Sequence, residues 1–244
     1  MIPSPIPKAL SSIRRRQVRY LLMGGQACIL YGAAEFSRDV DIALLADPEN
    51  LARLESALDD LGAVPIAVPP FEIDYLHRGH AIHFRCRAPG VEGLRVDVMS
   101  VMRGIALFPE LWERRTSFTV GDEAFDVMSL PDLVQAKKTQ RDKDWPMIRR
   151  LVEANYFANR AAPGPEQVAF WLAELRSSPL VLELAASHPT AAAQSPRPVV
   201  KAAVRGDVVA IERELAMEQA AAVEADREYW VPLRRELESL RRLA

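Results

Sequence analysis

Cysteine is scarce in this sequence, and its scarcity excludes two classes of protein. The 244 residues include only Cys28 and Cys86, and their spacing matches no metal-ligand motif. Disulfide-stabilised scaffolds and structural zinc sites both need several cysteines at defined spacings. We therefore expect two reduced thiols in the core.

Long hydrophobic runs and an excess of positive charge are also missing. No apolar run approaches the roughly 20 residues of a transmembrane helix, and the first ten residues, MIPSPIPKAL, lack the charged-then-apolar pattern of a signal peptide. The chain has 31 Lys and Arg against 33 Asp and Glu, a formal net charge of −2. That balance gives no global basic field for nonspecific nucleic-acid binding. These absences predict a cytoplasmic protein without a membrane partner.

The stretch from Tyr20 to Leu45 has the clearest features of a binding site. An apolar segment leads into Gly24-Gly25, a short helix follows, and a strand then opens on Asp39-Val40-Asp41. Strand alternation places both aspartates on one face, where they repel each other unless a cation lies between them. The aspartate pair alone would also fit a solvated strand end. Glycines at a strand-to-helix turn let backbone N–H groups approach a phosphate, so the combination favours a site for phosphate and Mg²⁺.

This stretch resembles the nucleotidyltransferase superfamily related to DNA polymerase beta, and within it the AbiEii-like and minimal nucleotidyltransferases. The family pattern is two small residues, a short helix, and then Arg-x-Thr-x-Asp-hydrophobic-Asp. Matching positions are Gly24, Gly25, Ala27, Gly32, Ser37 in place of Thr, Asp39, Val40 and Asp41. Glu35 stands where many relatives carry Arg, and Arg38 lies nearby. The resemblance implies that the two aspartates hold Mg²⁺ or Mn²⁺, and that the NTP is contacted by Gly24, Gly25, Ser37 and Arg38.

A third carboxylate is expected on a neighbouring strand. Residues 94–101, LRVDVMSV, alternate as a strand with Val96 and Val98 on one face and Asp97 on the other. An acid suits a valine-rich strand poorly unless its charge is used. Since the family carries its third catalytic carboxylate on such a strand, the resemblance makes Asp97 a catalytic and metal-binding residue. The alternative is a simple ion pair of Asp97 with Arg95 on the same face or with an arginine of the adjacent strand.

Positive charge is concentrated after residue 136. Ser129 and Asp132 are predicted to cap a helix that would present Lys137 and Arg141 within about one turn of each other. Many AbiEii-like sequences have a similar Asp-Leu-h-x-x-Lys segment followed by Arg-x-Lys-Asp. The resemblance implies that Lys137 and Arg141 contact the nucleotide phosphates and that Asp144 holds the junction to the next helix.

The histidines His77, His80 and His83 raise the alternative of a zinc site. Their spacing is not that of a helical i, i+4 pair, and no cysteine or carboxylate completes a tetrahedral set with them. The sequence therefore favours histidines that lie in a substrate pocket or on the surface.

The order of predicted elements favours an α/β architecture over a helical bundle. The resemblance implies an α/β (α+β) nucleotidyltransferase core, in which a small mixed sheet is flanked by helices. The segment Ala161–Pro165 is typical of a linker, and the pattern beyond it is helical. Predicted helices cover 166–177, 181–187, 199–205, 207–225 and 227–243, with a loop at 190–198. We expect a nucleotidyltransferase-fold domain over residues 1–160 and an all-helical domain over residues 161–244 that selects a substrate or partner.

The resemblance implies a Mg²⁺-dependent enzyme that moves an NMP from an NTP to an acceptor hydroxyl. The AbiEii-like branch implies an RNA or tRNA 3′ end or a protein as acceptor, with the chain acting as a toxin beside an antitoxin. Small-molecule antibiotics are the first alternative acceptor. A catalytically idle protein that binds a nucleotide and regulates a partner is the second alternative.

Overall fold

Seven strands and twelve helices are formed by residues 5–243, the part of the chain that the computed structural model describes. The strands are β1 Tyr20–Met23, β2 Asp39–Leu44, β3 Val64–Pro65, β4 Ile82–Arg85, β5 Arg95–Met99, β6 Thr116–Val120 and β7 Glu123–Val127. The helices are α1 Pro5–Arg15, α2 Gly24–Leu30, α3 Pro48–Asp60, α4 Ile73–His77, α5 Phe108–Glu113, α6 Leu130–Ala136, α7 Asp144–Asn159, α8 Pro165–Glu174, α9 Ser178–Ser187, α10 Pro189–Gln194, α11 Pro198–Val204 and α12 Val208–Leu243. The first residues of the proline-rich start, 1–4, lie outside the described range.

All seven strands belong to one mixed sheet with the order β3-β4-β5-β2-β1-β7-β6. Strand β2 is parallel to β5 and antiparallel to β1, while β1 is parallel to β7. Helix α2 packs against β1 and β2, and helix α1 packs against α3. The predicted fold class, a small mixed sheet flanked by helices with a helical C-terminal region, is confirmed.

The two central strands show why this sequence forms a sheet with one polar face. Val40 and Ile42 of β2 and Val96 and Val98 of β5 are fully buried. The residues that alternate with them along the two strands include the three predicted site aspartates and Arg95, and these four side chains are only partly buried. Alternation therefore places the apolar side chains in the core and the acidic side chains on the opposite face.

Helix α3 begins and ends where its sequence signals predict. The Asp47 side chain accepts a hydrogen bond from the backbone N–H of Asn50 at 2.7 Å, and Pro48 occupies the first helical position. The helix ends before Gly62, whose φ of +55° suits glycine. In the sequence, Asp47, Pro48 and Gly62 predict a helix that begins after Asp47 and ends at Gly62, and the structure forms it as α3.

The chain forms two compact units. Within the described range, the sheet unit contains residues 5–30, 34–136 and 229–243, and the helical unit contains residues 31–33 and 137–228. The division falls before Lys137, earlier than the predicted linker at 161–165. Helix α12 contributes its residues up to Glu228 to the helical unit and those from Tyr229 onward to the sheet unit.

Three predictions in the helical regions were wrong. The segment 190–198 is not a continuous loop, because Pro189 occupies the first position of α10, where proline favours a helix. The two predicted helices 207–225 and 227–243 form the single helix α12. Asp226, at the expected break, is buried, and its carboxylate accepts the N–H of Gln140 at 2.9 Å. Residues 63–79 contain three prolines and predict a loop or short strand; the structure forms the short strand β3 there but also helix α4, which the sequence pattern missed.

Cys28 and Cys86 are buried free thiols, as predicted. Burial raises the pKa of the Cys86 thiol, which disfavours the reactive thiolate. Among residues 5–243, no helix is both long and apolar enough to cross a membrane.

Candidate active site

The three predicted catalytic carboxylates lie on one face of the sheet unit. Asp39 and Asp41 occupy the first and third positions of β2, and Asp97 is the third residue of β5. Asp41 and Asp97 are direct register partners across the parallel pair β2–β5. Neighbouring strands lie about 4.8 Å apart, so two carboxylates project side by side from the sheet. We refer to Asp39, Asp41 and Asp97 as the carboxylate cluster.

The Gly-Gly turn lies against this cluster. Gly24 has a φ of +61°, and a Cβ atom added to it would overlap the carboxylate of Asp41. The backbone N–H of Gly25 donates to Oδ2 of Asp41 at 3.3 Å. A Cβ at Gly25 would in turn overlap Oγ of Ser37. Both positions therefore require glycine, because each lets an acidic or hydroxyl side chain approach the backbone closely.

Two polar side chains hold the start of β2 in place. The hydroxyl of Ser37 and the side-chain amide of Gln26 both donate to the backbone carbonyl of Asp39 at 3.3 Å. Arg38, between Ser37 and Asp39, is exposed, and its guanidinium lies 5.7 Å from the ring centre of exposed Phe36. Ser37 thus links the glycine turn to the carboxylate cluster, whereas Arg38 projects to solvent.

Asp97 is the most heavily engaged carboxylate of the cluster. Its Oδ1 accepts from Nε of Arg95 at 2.7 Å and lies 2.8 Å from Nδ1 of His83. His83 is the register partner of Asp97 on antiparallel β4. Met23, Asp41, Asp97 and His83 therefore form one row across β1, β2, β5 and β4.

The charges around Asp97 favour its ionised form. Burial raises the pKa of this carboxyl, but the hydrogen bonds from His83 and Arg95 together outweigh burial, so the pKa falls below its ordinary value. Arg95 is held protonated first by its bond to Asp97 and also by the nearby charges of Asp39 and Asp41, which raise its pKa. The ion pair between Asp97 and Arg95, which the sequence offered as an alternative, is therefore present, and Asp97 is at the same time a member of the carboxylate cluster.

Lys137 and Arg141 are not on the predicted helix. Helix α6 ends at Ala136, and both residues lie in the loop before α7 in the helical unit. Buried Asp144 organises this loop, since its Oδ2 accepts from Thr139 Oγ1 at 2.6 Å and from Arg141 Nε at 2.7 Å. Lys137 Nζ lies 3.9 Å from the other Asp144 oxygen. The Thr139 hydroxyl also accepts the backbone N–H of Arg141 at 3.1 Å, and the Asp226 carboxylate accepts that of Gln140 at 2.9 Å. Such side-chain acceptors offer the backbone an alternative to helical hydrogen bonds, which is consistent with the end of α6 at Ala136.

The donor set of the carboxylate cluster matches the oxygen ligands that Mg²⁺ prefers. No group of three or more His, Cys, Asp or Glu side chains within residues 5–243 converges closely enough to hold a metal unaided. Mg²⁺ is usually held by one or two carboxylates together with substrate phosphates. The cluster therefore fits a metal site that a nucleotide completes. His77 and His80 do not join His83, because they contact the Ala46 carbonyl and Glu236 instead.

Sequence reasoning gave Arg95 only as an ion-pair alternative and did not select His83 or Gln26. Alternation in residues 81–87 sets His83 and Arg85 opposite Ile82 and Phe84, which marks them as a polar face. Only the register of β4 against β5 brings His83 beside Asp97, and that register depends on the intervening turn, where Cys86 N–H donates to the Leu94 carbonyl at 2.8 Å.

No protein-family model matches the sequence, and no curated protein is detectably similar to it. Among solved structures, the chain is similar to the lincosamide antibiotic adenylyltransferase LnuA with lincomycin bound, at 15% identity and a TM-score of 0.44 over 60% of this chain and 94% of that one. It is also similar to an antigenic nucleotidyltransferase-like protein from Paracoccidioides brasiliensis, at 16% identity and a TM-score of 0.43 over 82% and 91% of the two chains. At these TM-scores the likeness identifies neither the reaction nor the substrate of this chain.

Proposed function

We propose that this chain is a nucleotidyltransferase that moves an NMP from an NTP to an acceptor hydroxyl. The observation that carries the proposal is the register of Asp41 and Asp97 on adjacent parallel strands, with Asp39 on the same face. Like charges placed together at a sheet surface are costly unless a cation uses them. The sequence resemblance to the superfamily related to DNA polymerase beta supports the same reaction.

Asp39, Asp41 and Asp97 would hold Mg²⁺, which when bound would neutralise the charge of the phosphates. Arg95 and His83 keep Asp97 ionised and fix its Oδ1. They are positioning residues for that carboxylate. Ser37 and Gln26 do the same for the backbone at Asp39.

The NTP is proposed to bind at the Gly24-Gly25 turn with Ser37 and Arg38. The N–H of Gly25 donates to Asp41 of the cluster, and a phosphate oxygen bound there could share this donor. Lys137 and Arg141 are proposed as further phosphate contacts. Both reside in the loop that Asp144 organises, so Asp144 sets where their charges are presented.

The direct test is label transfer from each α-³²P-labelled NTP with Mg²⁺ and a cell extract. We expect a labelled product with the wild-type protein and none with Asp39→Ala or Asp41→Ala. Transfer at wild-type levels by either variant would refute the proposed catalytic role of these aspartates. Lys8→Ala, outside the cluster, is a matched control that should keep full transfer.

The same experiment names the acceptor, which we propose is an RNA or tRNA 3′ end or a protein hydroxyl, as in a toxin paired with an antitoxin. Loss of label on ribonuclease treatment indicates RNA, and loss on protease treatment indicates a protein. Label on a small molecule would instead place the chain with antibiotic-modifying enzymes. The helical region over residues 161–244 is proposed to select that acceptor.

A second candidate, a catalytically idle nucleotide-binding regulator, is favoured by one observation. The Asp97 Oδ1 atom is already engaged by Arg95 and His83. An idle protein would bind an NTP in a Mg²⁺-dependent manner, as measured by calorimetry, yet would release no pyrophosphate with any acceptor. Pyrophosphate release that requires Asp97 would exclude this candidate.

A further inference from the structure

A cavity of about 390 Å³ lies within the helical unit. Its polar wall is formed by Lys138, Trp145, Glu174, Arg176, Arg197 and Glu218, and the rest of the wall is alanine and proline. Cavities of about 300–1,000 Å³ with apolar walls and a few convergent polar groups are typical of sites for small molecules. The charged residues decide which kind of small molecule would fit.

All three guanidinium nitrogens of Arg197 donate hydrogen bonds within the helical unit. Its Nε and Nη2 donate to the two oxygens of Glu218 at 2.9 and 2.8 Å. Its Nη1 donates to the carbonyls of Leu172 and Leu175 at the end of α8, at 3.0 and 2.9 Å. This bidentate pair engages both oxygens of the Glu218 carboxylate.

Arg176 is buried without a carboxylate of its own. Its side chain is only 9% exposed, and among residues 5–243 it makes one hydrogen bond, from Nη2 to the Leu215 carbonyl at 2.9 Å. Its Nη1 lies 3.5 Å from the Glu218 oxygen that Arg197 already holds, and its guanidinium stacks 4.8 Å from the ring centre of Trp145. A guanidinium has five N–H donors, so most of them remain for a ligand.

The cavity therefore has one more positive than negative charge. Lys138 is matched by Glu174 at 2.7 Å, whereas Arg176 and Arg197 share Glu218. Burial is the largest influence on Arg176 and lowers its pKa, although Glu218 opposes this effect. Arg176 therefore shares its carboxylate partner with Arg197, and an anion in the cavity would give it a partner of its own.

We propose that this cavity binds a small organic oxyanion, whose phosphate or carboxylate head is held by Arg176 and whose apolar body contacts the remaining wall. The planar fork of a guanidinium matches both head groups in geometry. The cavity shares no residue with the carboxylate cluster or with the proposed NTP contacts, so anion binding there can be measured separately from nucleotidyl transfer.

The test is calorimetric titration of the full chain with phenyl phosphate, with benzoate, and with benzyl alcohol as the neutral analogue. We expect one or both anions to bind and the alcohol not to bind, and the two anions separate a phosphate site from a carboxylate site. Arg176→Gln should weaken binding by at least about tenfold, the usual loss for a charged hydrogen-bonding partner. Arg160→Gln is the matched control, because Arg160 lies in the same unit and pairs with Glu183 outside this cavity. Any anion bound at the nucleotide site would appear equally in both variants.

Glu218→Gln and Arg176→Lys give the proposal two further tests that do not remove the side chain outright. Glu218→Gln removes the carboxylate that competes for Arg176 and should tighten anion binding. Arg176→Lys keeps the charge but loses the fork and should weaken it. The proposal is overturned if wild type binds neither anion, or if no Arg176 variant changes the affinity. If the Arg176 variants had a lower melting temperature but an unchanged affinity for the anions, Arg176 would only stabilise α12 through its hydrogen bond to the Leu215 carbonyl.

Discussion

Gly24 lies directly against the carboxylate of Asp41, with room for a hydrogen atom but not for a methyl group. This contact joins the glycine turn between β1 and α2 to the carboxylate cluster on β2. Glycine has two roles at this position: it adopts a positive φ, and its missing side chain lets the Asp41 carboxylate approach the backbone. Substitutions can test the two roles separately.

We expect Gly24→Ala to lose both stability and transfer activity. An alanine at a φ of +61° costs about 1–2 kcal/mol of folding free energy, and its methyl group must also displace Asp41. Gly121→Ala is the control, since Gly121 has the same φ of +61° and no described atom within 4 Å of its added Cβ. Both variants should melt earlier, and only Gly24→Ala should lose NMP transfer. Equal activity in the two variants would show that the Asp41 carboxylate does not need its observed position.

Arg95→Met should lower transfer activity while leaving the sheet folded. The substitution removes the charged donor 2.7 Å from Asp97 and keeps a long apolar stem. A charged hydrogen bond contributes about 1.5–3 kcal/mol, which corresponds to about a 10- to 100-fold lower rate if Asp97 must be fixed for the reaction. Arg85→Met, at the exposed register partner of Arg95 on β4, should keep wild-type rates. The measurement is the rate of NMP transfer at saturating NTP. Equal rates in Arg95→Met and wild type would show that Arg95 does not position Asp97 for the reaction.

Protonation of the Asp60 carboxylate should contribute to a loss of folding stability in acid. Arg16 donates to both Asp60 oxygens, at 2.9 and 2.7 Å, and these bonds, followed by one from Ser12, lower the pKa of Asp60 below its ordinary 3.8 against the opposing effect of burial. A lowered pKa contributes stability that is present above the unfolded pKa and lost as pH falls through the folded pKa. Melting temperatures between about pH 5 and pH 2 should therefore fall less steeply in Asp60→Asn than in wild type. Asp59→Asn, at the exposed neighbouring position, should keep the wild-type slope; a wild-type slope in Asp60→Asn would refute the assignment.

Glu236→Ala should destabilise the sheet unit. His80 has a fully buried side chain whose Nε2 lies 2.6 Å from Glu236 Oε2, and its Nδ1 has no hydrogen-bond partner among the described residues. Without Glu236 the ring loses its only hydrogen-bonding contact, at an expected cost of about 1–3 kcal/mol in the free energy of unfolding. Glu238→Ala, two residues further along α12 and exposed, should change that free energy little. Denaturant unfolding of the two variants decides the point, and equal stabilities would contradict it.

Local patterns were sufficient for most of the sheet unit. Alternation in β2 and β5 and the Asp47 cap with Pro48 each depend on neighbours within a few residues, and the structure forms those elements as expected. Binary patterning also placed all three aspartates on one face. The same patterns could not give the order of strands, which depends on pairings between distant segments.

The parts that could not be predicted depend on contacts between residues far apart in the sequence. His83 reaches Asp97 only through the register of β4 and β5. In the loop after α6, the backbone N–H groups of Gln140 and Arg141 donate to the side chains of Asp226 and Thr139. Asp226 lies 86 residues from Gln140, so the sequence shows this acceptor but not its donor.

The end of α12 has a consequence for the synthesis of the protein. Glu236 follows His80 by 156 residues, yet both belong to the sheet unit. All three aspartates therefore leave the ribosome long before the helix that closes their unit is made. Until that helix emerges, His80 lacks the Glu236 carboxylate, so the sheet unit cannot form this contact before residues 137–228 of the helical unit have been translated.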